Sequence, residues 1–225
     1  MDLLGHDVMN NNQAVLSYLE LIYAAPGVDR RVKTLAEKAV SHVRTSTVLI
    51  DNVKRLIAAR NIQPEKLKPT DVVKSIDKAE VELRKHFPAK RIRLEKIAMP
   101  KNAVVFGDNY AEDLILNVLI TAVRLSPSDD ITLRVTCTDG DIKGRPAWIT
   151  RVEEKNAQLP PFLAGGNVSA TYSQDISTAV KTTGMLFAKM LAESLGGDFE
   201  ARPLQRDAKK GGAEFTVILR RAEGP

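Results

Sequence analysis

The sequence predicts an α+β protein: a helical hairpin over residues 1–60 that dimerises into a four-helix bundle, a linker over 61–69, and an α/β sandwich over 70–225. Three observations predict it. Apolar residues recur at helical spacing through the first 60 residues. Pro64 and Pro69 then mark a stretch with little apolar content. Beyond them, helical patterns mix with short alternating runs without a strict βαβ order.

In the first helix Leu4, Val8, Val15, Leu19 and Ile22 share helical spacing, and Ala25-Pro26-Gly27 is a turn signal. Asp29 can cap the second helix, in which Val32, Ala36, Ala39, Val43, Ser46, Ile50, Val53 and Ile57 alternate by fours and threes. That is the seam of a coiled coil or bundle. Two helices cannot cover it on both sides, so either the rest of the chain packs on it or a second hairpin does. The second hairpin is the favoured remedy. The linker ends in a short strand. Thr70 or Asp71 then caps a helix to about Phe87, with Val72, Val73, Ile76, Ala79 and Leu83 on one face and Pro88 ending it. Ile92 and Leu94 alternate with charges as in a half-buried strand, and Ala103–Phe106 forms another. Asn109 to Leu125 is a strongly apolar helix closed by Ser126-Pro127. Strands are expected at Ile131–Thr136 and Ala147–Val152, a loop at 164–183, and a helix from Gly184 to Leu195 stopped by Gly196-Gly197. Phe199–Arg202 then pairs with Glu214–Arg220 across a basic loop.

Composition excludes several classes. Of 225 residues 44% are apolar and 27% charged, a globular rather than a disordered balance. No apolar run approaches the ~20 residues that cross a bilayer. Met1-Asp2-Leu3-Leu4-Gly5-His6-Asp7 has neither the basic nor the apolar region of a secretory leader. The single cysteine, Cys137, excludes an internal disulfide and multi-cysteine metal sites, and a reducing cytoplasm is expected. The net charge is 33 − 28 = +5, but Lys and Arg are scattered and aromatics are few, so neither nucleic acid nor a membrane is an expected partner. The charge suits a solvated surface, one able to face an acidic protein.

One further stretch points to chemistry. His6-Asp7-Val8-Met9-Asn10-Asn11-Asn12-Gln13 resembles the histidine box of sensor histidine kinases and related histidine phosphotransferases. With Tyr18-Leu19-Glu20-Leu21 following, it is most similar in form to archaeal kinases. Leu67-Lys68-Pro69, Phe106-Gly107-Asp108 and Gly184…Gly196-Gly197 resemble landmarks of the ATP-binding domain of that family, in the same order, so the resemblance covers essentially the whole chain. It implies a dimerisation hairpin followed by a kinase-type ATP-binding-like sandwich. It also implies His6 as phosphoacceptor, Asp7 as the acid that orients or deprotonates it, and a response-regulator receiver domain as partner, docking near Asn10 and Gln13. The residues agree independently: an imidazole nitrogen is a competent nucleophile toward phosphorus, and Asn10 at i+4 lies on the same helix face, able to hold a phosphoryl oxygen or a water. His42 and His86 have no such company.

The nucleotide boxes depart from the family pattern. Asn117 keeps the first asparagine of the central helix, but Thr121 stands where the family has its magnesium-binding asparagine. Glu154 replaces the aspartate that holds the adenine amino group. Asn156 and Gln158 replace glycines that allow close backbone approach, and of the last glycine box Gly184 alone clearly survives. The expected function is therefore histidine phosphotransfer in a phosphorelay, without a metal or nucleotide. The alternatives are the transmitter core of an ATP- and magnesium-dependent kinase, and a non-catalytic dimeric scaffold that binds a receiver. Only five residues precede His6, so the chain is either a stand-alone relay protein or a piece of a larger sensor.

Overall fold

A computed structural model of the chain describes residues 2–60, 62–63, 66–160, 176–204 and 211–222, without the side chains of 2–6 and of several residues between 45 and 60 and from 176 to 182. Of the loop expected at 164–183, residues 164–175 lie outside these, as does 205–210 in the basic loop. The first two helices are α1 (Asp2–Ala24) and α2 (Arg30–Arg60). Asp29 caps α2 as expected: its carboxylate accepts from Arg31 N at 2.6 Å. The helices run antiparallel, with contacts between Glu20 and Arg44 (3.7 Å), Asn12 and Thr47 (3.1 Å), and Met9 Sδ and Lys54 Nζ (3.5 Å). The half-buried stripe Met9, Asn12, Leu16 and Leu19 therefore faces α2. A second stripe, Val8, Val15, Tyr18 and Ile22, stays exposed, as do Val32, Leu35, Val53 and Ile57 of α2.

Beyond residue 66 the chain builds a two-layer sandwich. Strand β1 (Pro69–Asp71) leads into α3 (Val72–His86), whose N-cap Asp71 accepts from Val73 N and from Ala103 N, both at 3.0 Å. One carboxylate thus caps the helix and ties it to β3 (Val104–Phe106), which pairs antiparallel with β1. The main sheet is formed by β2 (Arg91–Ile97), β4 (Asp130–Ile142), β5 (Arg145–Glu154), β7 (Ala213–Arg220) and β6 (Asp198–Pro203), in that spatial order. β2 and β4 are parallel; the other pairs are antiparallel. Helices α3, α4 (Asp108–Leu125) and α5 (Ile176–Ser194) supply the second layer. The core between the layers holds Ile76, Leu83, Leu114, Ile115, Leu119, Leu133, Met185, Leu191, Phe199 and Phe215.

Two boundaries differ from expectation. The β4–β5 hairpin runs six residues past Thr136 and turns tightly at Lys143-Gly144, both at positive φ (52° and 74°). Asp139 and Gly140 read as strand-poor residues, yet Cys137 continues the inward alternation of Ile131, Leu133 and Val135. Helix α5 begins at Ile176, eight residues before Gly184. Its Ser/Thr-rich start has poor helix propensity, while α5 as a whole packs against α2 and α4. Among the described residues no helix is long and apolar enough to cross a membrane.

Candidate functional site

His6 lies in the second turn of α1, and its side chain is outside the described residues. Asp7, Asn10 and Gln13 are exposed. At about 100° per residue, positions 6, 10 and 13 fall within about 60° of one another and span about 10 Å along the axis. That face lies about 90° from the stripe packed on α2 and opposite the exposed stripe of Val8, Val15 and Ile22. The helix thus presents one polar face, one face joined to α2 and one uncovered apolar face. The four-three repeat of the sequence marks a seam on α2; the seven-residue spacing of Val8, Val15 and Ile22 marks the uncovered stripe of α1, while Leu19 turns toward α2.

Asn117, Thr121 and Gly184 come together at the crossing of α4 and α5. Asn117 and Thr121 sit one helical turn apart, 9% and 3% exposed. Asn117 Nδ2 donates to the Gly184 carbonyl at 2.6 Å. A Cβ on Gly184 would stand 2.6 Å from Thr121 Oγ1 and 3.8 Å from Asn117 Oδ1. Gly184 is therefore the small residue that lets two helices approach, and Asn117 satisfies a backbone oxygen across the contact. This pairing was not legible in the sequence, because it needs Gly184 inside a helix rather than at the start of one.

Glu154 lies elsewhere, at the end of β5. Its buried carboxylate accepts from Asn156 N at 2.8 Å and is further held by Ser126 and by the Ala157 amide. Gln158 N donates to Leu125 O at 2.9 Å, so the segment after β5 fastens to the C-terminal end of α4, about one turn beyond Thr121. Asn156 and Gln158 are exposed. Among the described residues one groove of about 420 Å³ opens beside β1 and the starts of α3 and α4, and another of about 240 Å³ is lined by Glu95, Arg134, Glu153, Glu154 and Asn156. Asn117, Thr121 and Gly184 line neither of these two.

Burial pushes the Glu154 carboxyl above its usual range, against the hydrogen bonds that favour its charge. With the folded value raised, the native state holds this proton after the unfolded chain has released it. The contribution is full below the unfolded carboxylate pKa and falls as pH rises through the raised folded value. Urea unfolding at about pH 4 and about pH 7 is expected to show this descending component in the wild type and its loss in Glu154→Gln. An unchanged pH difference in the variant contradicts the assignment.

No family model matches the sequence, and no curated protein matches it. Among solved structures the chain is similar to a mycobacterial sensor histidine kinase, MprB, at 18% identity and a TM-score of 0.50 over 69% of this chain and all of that one. It is also similar to full-length ShkA in complex with AMPPNP, at 15% identity and a TM-score of 0.61. The fold is that of a histidine kinase core. The ShkA likeness runs through the whole of this chain, hairpin and sandwich together, and this chain spans 46% of ShkA.

Proposed function

We propose that the chain is a histidine phosphotransferase of a two-component phosphorelay, exchanging a phosphoryl group between His6 and the aspartate of a response-regulator receiver domain. The observation that carries this reading is the α4–α5 crossing. Asn117 is engaged with the Gly184 carbonyl, Thr121 leaves no room for a side chain on Gly184, and Glu154, at a separate place, is held by backbone amides. On this reading they serve neither ATP nor magnesium, and no step is routed through either. The work then rests on residues 1–60 as the phosphotransfer and dimerisation unit, joined by 61–69 to a sandwich over 70–225 that holds the partner. A cytoplasmic site of action follows from the same reading.

In the transfer, a neutral imidazole nitrogen of His6 attacks phosphorus in line. The N–P bond forms as the P–O bond to the receiver aspartate breaks, and the electron pair leaves with the aspartate carboxylate. Asp7 orients the ring and accepts the proton from its other nitrogen, which leaves a neutral N-phosphoryl imidazole. Asn10, one turn along, holds a phosphoryl oxygen, and Gln13 extends the docking face.

A second copy is the proposed cover for the exposed apolar stripe. Val8, Val15 and Ile22 of α1, with Val32, Leu35, Val53 and Ile57 of α2, form an uncovered surface on the hairpin. Burying it completes a four-helix bundle and leaves the His6 face outward. Val15→Glu with Ile22→Glu removes about 3 kcal/mol of burial or more, weakening the dimer at least about 100-fold. Light scattering is expected to report a folded monomer; an unchanged dimer contradicts this interface.

The kinase alternative is favoured by one observation, the likeness over the whole chain to ShkA, a structure in complex with AMPPNP. Incubation with a phosphorylated receiver domain, and separately with labelled ATP, decides. Label acquired from the receiver alone is the expected result. Label from ATP, with nucleotide bound at micromolar concentration, establishes the kinase. No label from either source leaves a receiver-binding scaffold.

A further inference from the structure

We propose that α5 is a strut that fixes how the hairpin is carried on the sandwich, with Gly184 as the positioning residue that sets its seat. The hairpin meets the sandwich mainly through α5, which packs on α2 and also on α4, β6 and β7; the hairpin's contacts with other sandwich elements are marginal among the described residues. α5 has 19 residues and spans about 28 Å, long enough to lie in both units.

It is anchored at two places on the sandwich side. Midway, the Asn117 bond to the Gly184 carbonyl and the tight approach to Thr121 set its height on α4, with Met185, Ala188, Leu191 and Ala192 buried beside them. At its end Lys189 bridges to Asp198 at the start of β6, while Gly197 N to Ala192 O at 2.8 Å and Gly196 N to Glu193 O at 2.9 Å close the helix just before that strand. A helix held at two points transmits a shift at one of them along its length, because packed interfaces do not deform continuously. Side chains at 117 and 121 thereby set the seat of the hairpin. This inference does not depend on phosphate chemistry at His6.

The test is a distance distribution between spin labels at His42 on α2 and Val81 on α3, both exposed, in the full chain diluted with unlabelled chain. Cys137 is buried and is replaced by alanine to leave two labelling sites. The wild type is expected to give one narrow distribution. Gly184→Ala, whose Cβ meets Thr121 Oγ1 at 2.6 Å, should widen it about twofold or shift its centre. Adding Thr121→Ala removes the clash and should restore the wild-type distribution. Asn117→Ala, which loosens the crossing without adding bulk, provides the same reading if Gly184→Ala does not fold. A broad wild-type distribution, or one unchanged in both Gly184→Ala and Asn117→Ala, overturns the strut. Phosphotransfer in the wild type is assayed alongside, so a failure of that chemistry is told apart from a failure of the strut.

Discussion

His6→Gln is expected to abolish acquisition of labelled phosphoryl from a phosphorylated receiver while leaving the circular dichroism and mass of the assembly unchanged. Glutamine keeps polarity and approximate size but has no nucleophilic ring nitrogen, so the loss is complete rather than partial. Position 6 lies on the polar face of α1, away from the stripe that packs on α2, which is why folding should survive. Asn10→Ala differs in kind. It removes a positioning hydrogen bond of about 1–1.5 kcal/mol, so transfer should slow about tenfold and remain measurable. His42, exposed on α2, and His86, the last residue of α3, serve as controls. Glutamine at either should change nothing. Label that persists in His6→Gln, or moves to His42 or His86, refutes the assignment.

The hairpin was legible because its signals are local: a proline-glycine turn, one capping aspartate and a four-three repeat. The same holds for α3, where Asp71 and Pro88 bracket an amphipathic run, and for the pairing of β6 with β7. What could not be read depends on distant residues. The inner side of α1 carries Asn12, which donates to Thr47 35 residues away, and nothing near Asn12 announces that bond. The extent of β4 is hidden because Asp139, Gly140 and Asp141 disfavour strands and lie past the buried positions; their pairing with β5 holds them in the sheet. The start of α5 is hidden because Ser177, Thr178, Thr182 and Thr183 favour non-helical structure in the sequence. For the candidate site, the identities at 117, 121, 154 and 184 showed departure from a nucleotide-binding pattern. Their present use is a matter of tertiary packing: Asn117 and Gly184 are 67 residues apart, and Glu154 finds Ser126 across a strand and a helix end.

The largest expected loss of stability is at Gly197. A Cβ there would stand 2.0 Å from the carbonyl oxygen of Ile218 and 2.9 Å from Leu219 Cδ2. That oxygen belongs to β7, which is paired on both sides, with β5 and β6, so the backbone cannot retreat without breaking a ladder. Gly197→Ala should therefore cost about 3 kcal/mol or more in urea unfolding, the upper part of the range for overpacked interiors. The neighbouring glycine separates sterics from conformation. Gly196 ends α5 at φ 75°, and the nearest atoms to an added Cβ are those of the Arg220 side chain, at 3.6 Å and beyond. Gly196→Ala should cost about 1–2 kcal/mol, from the left-handed backbone alone. Gly144, at φ 74° with open space around it, should cost about the same. If Gly197→Ala is no worse than these two, the end of α5 does not lie against β7 as closely as described, and the anchor that holds α5 beside Asn117 and Thr121 loses its far support.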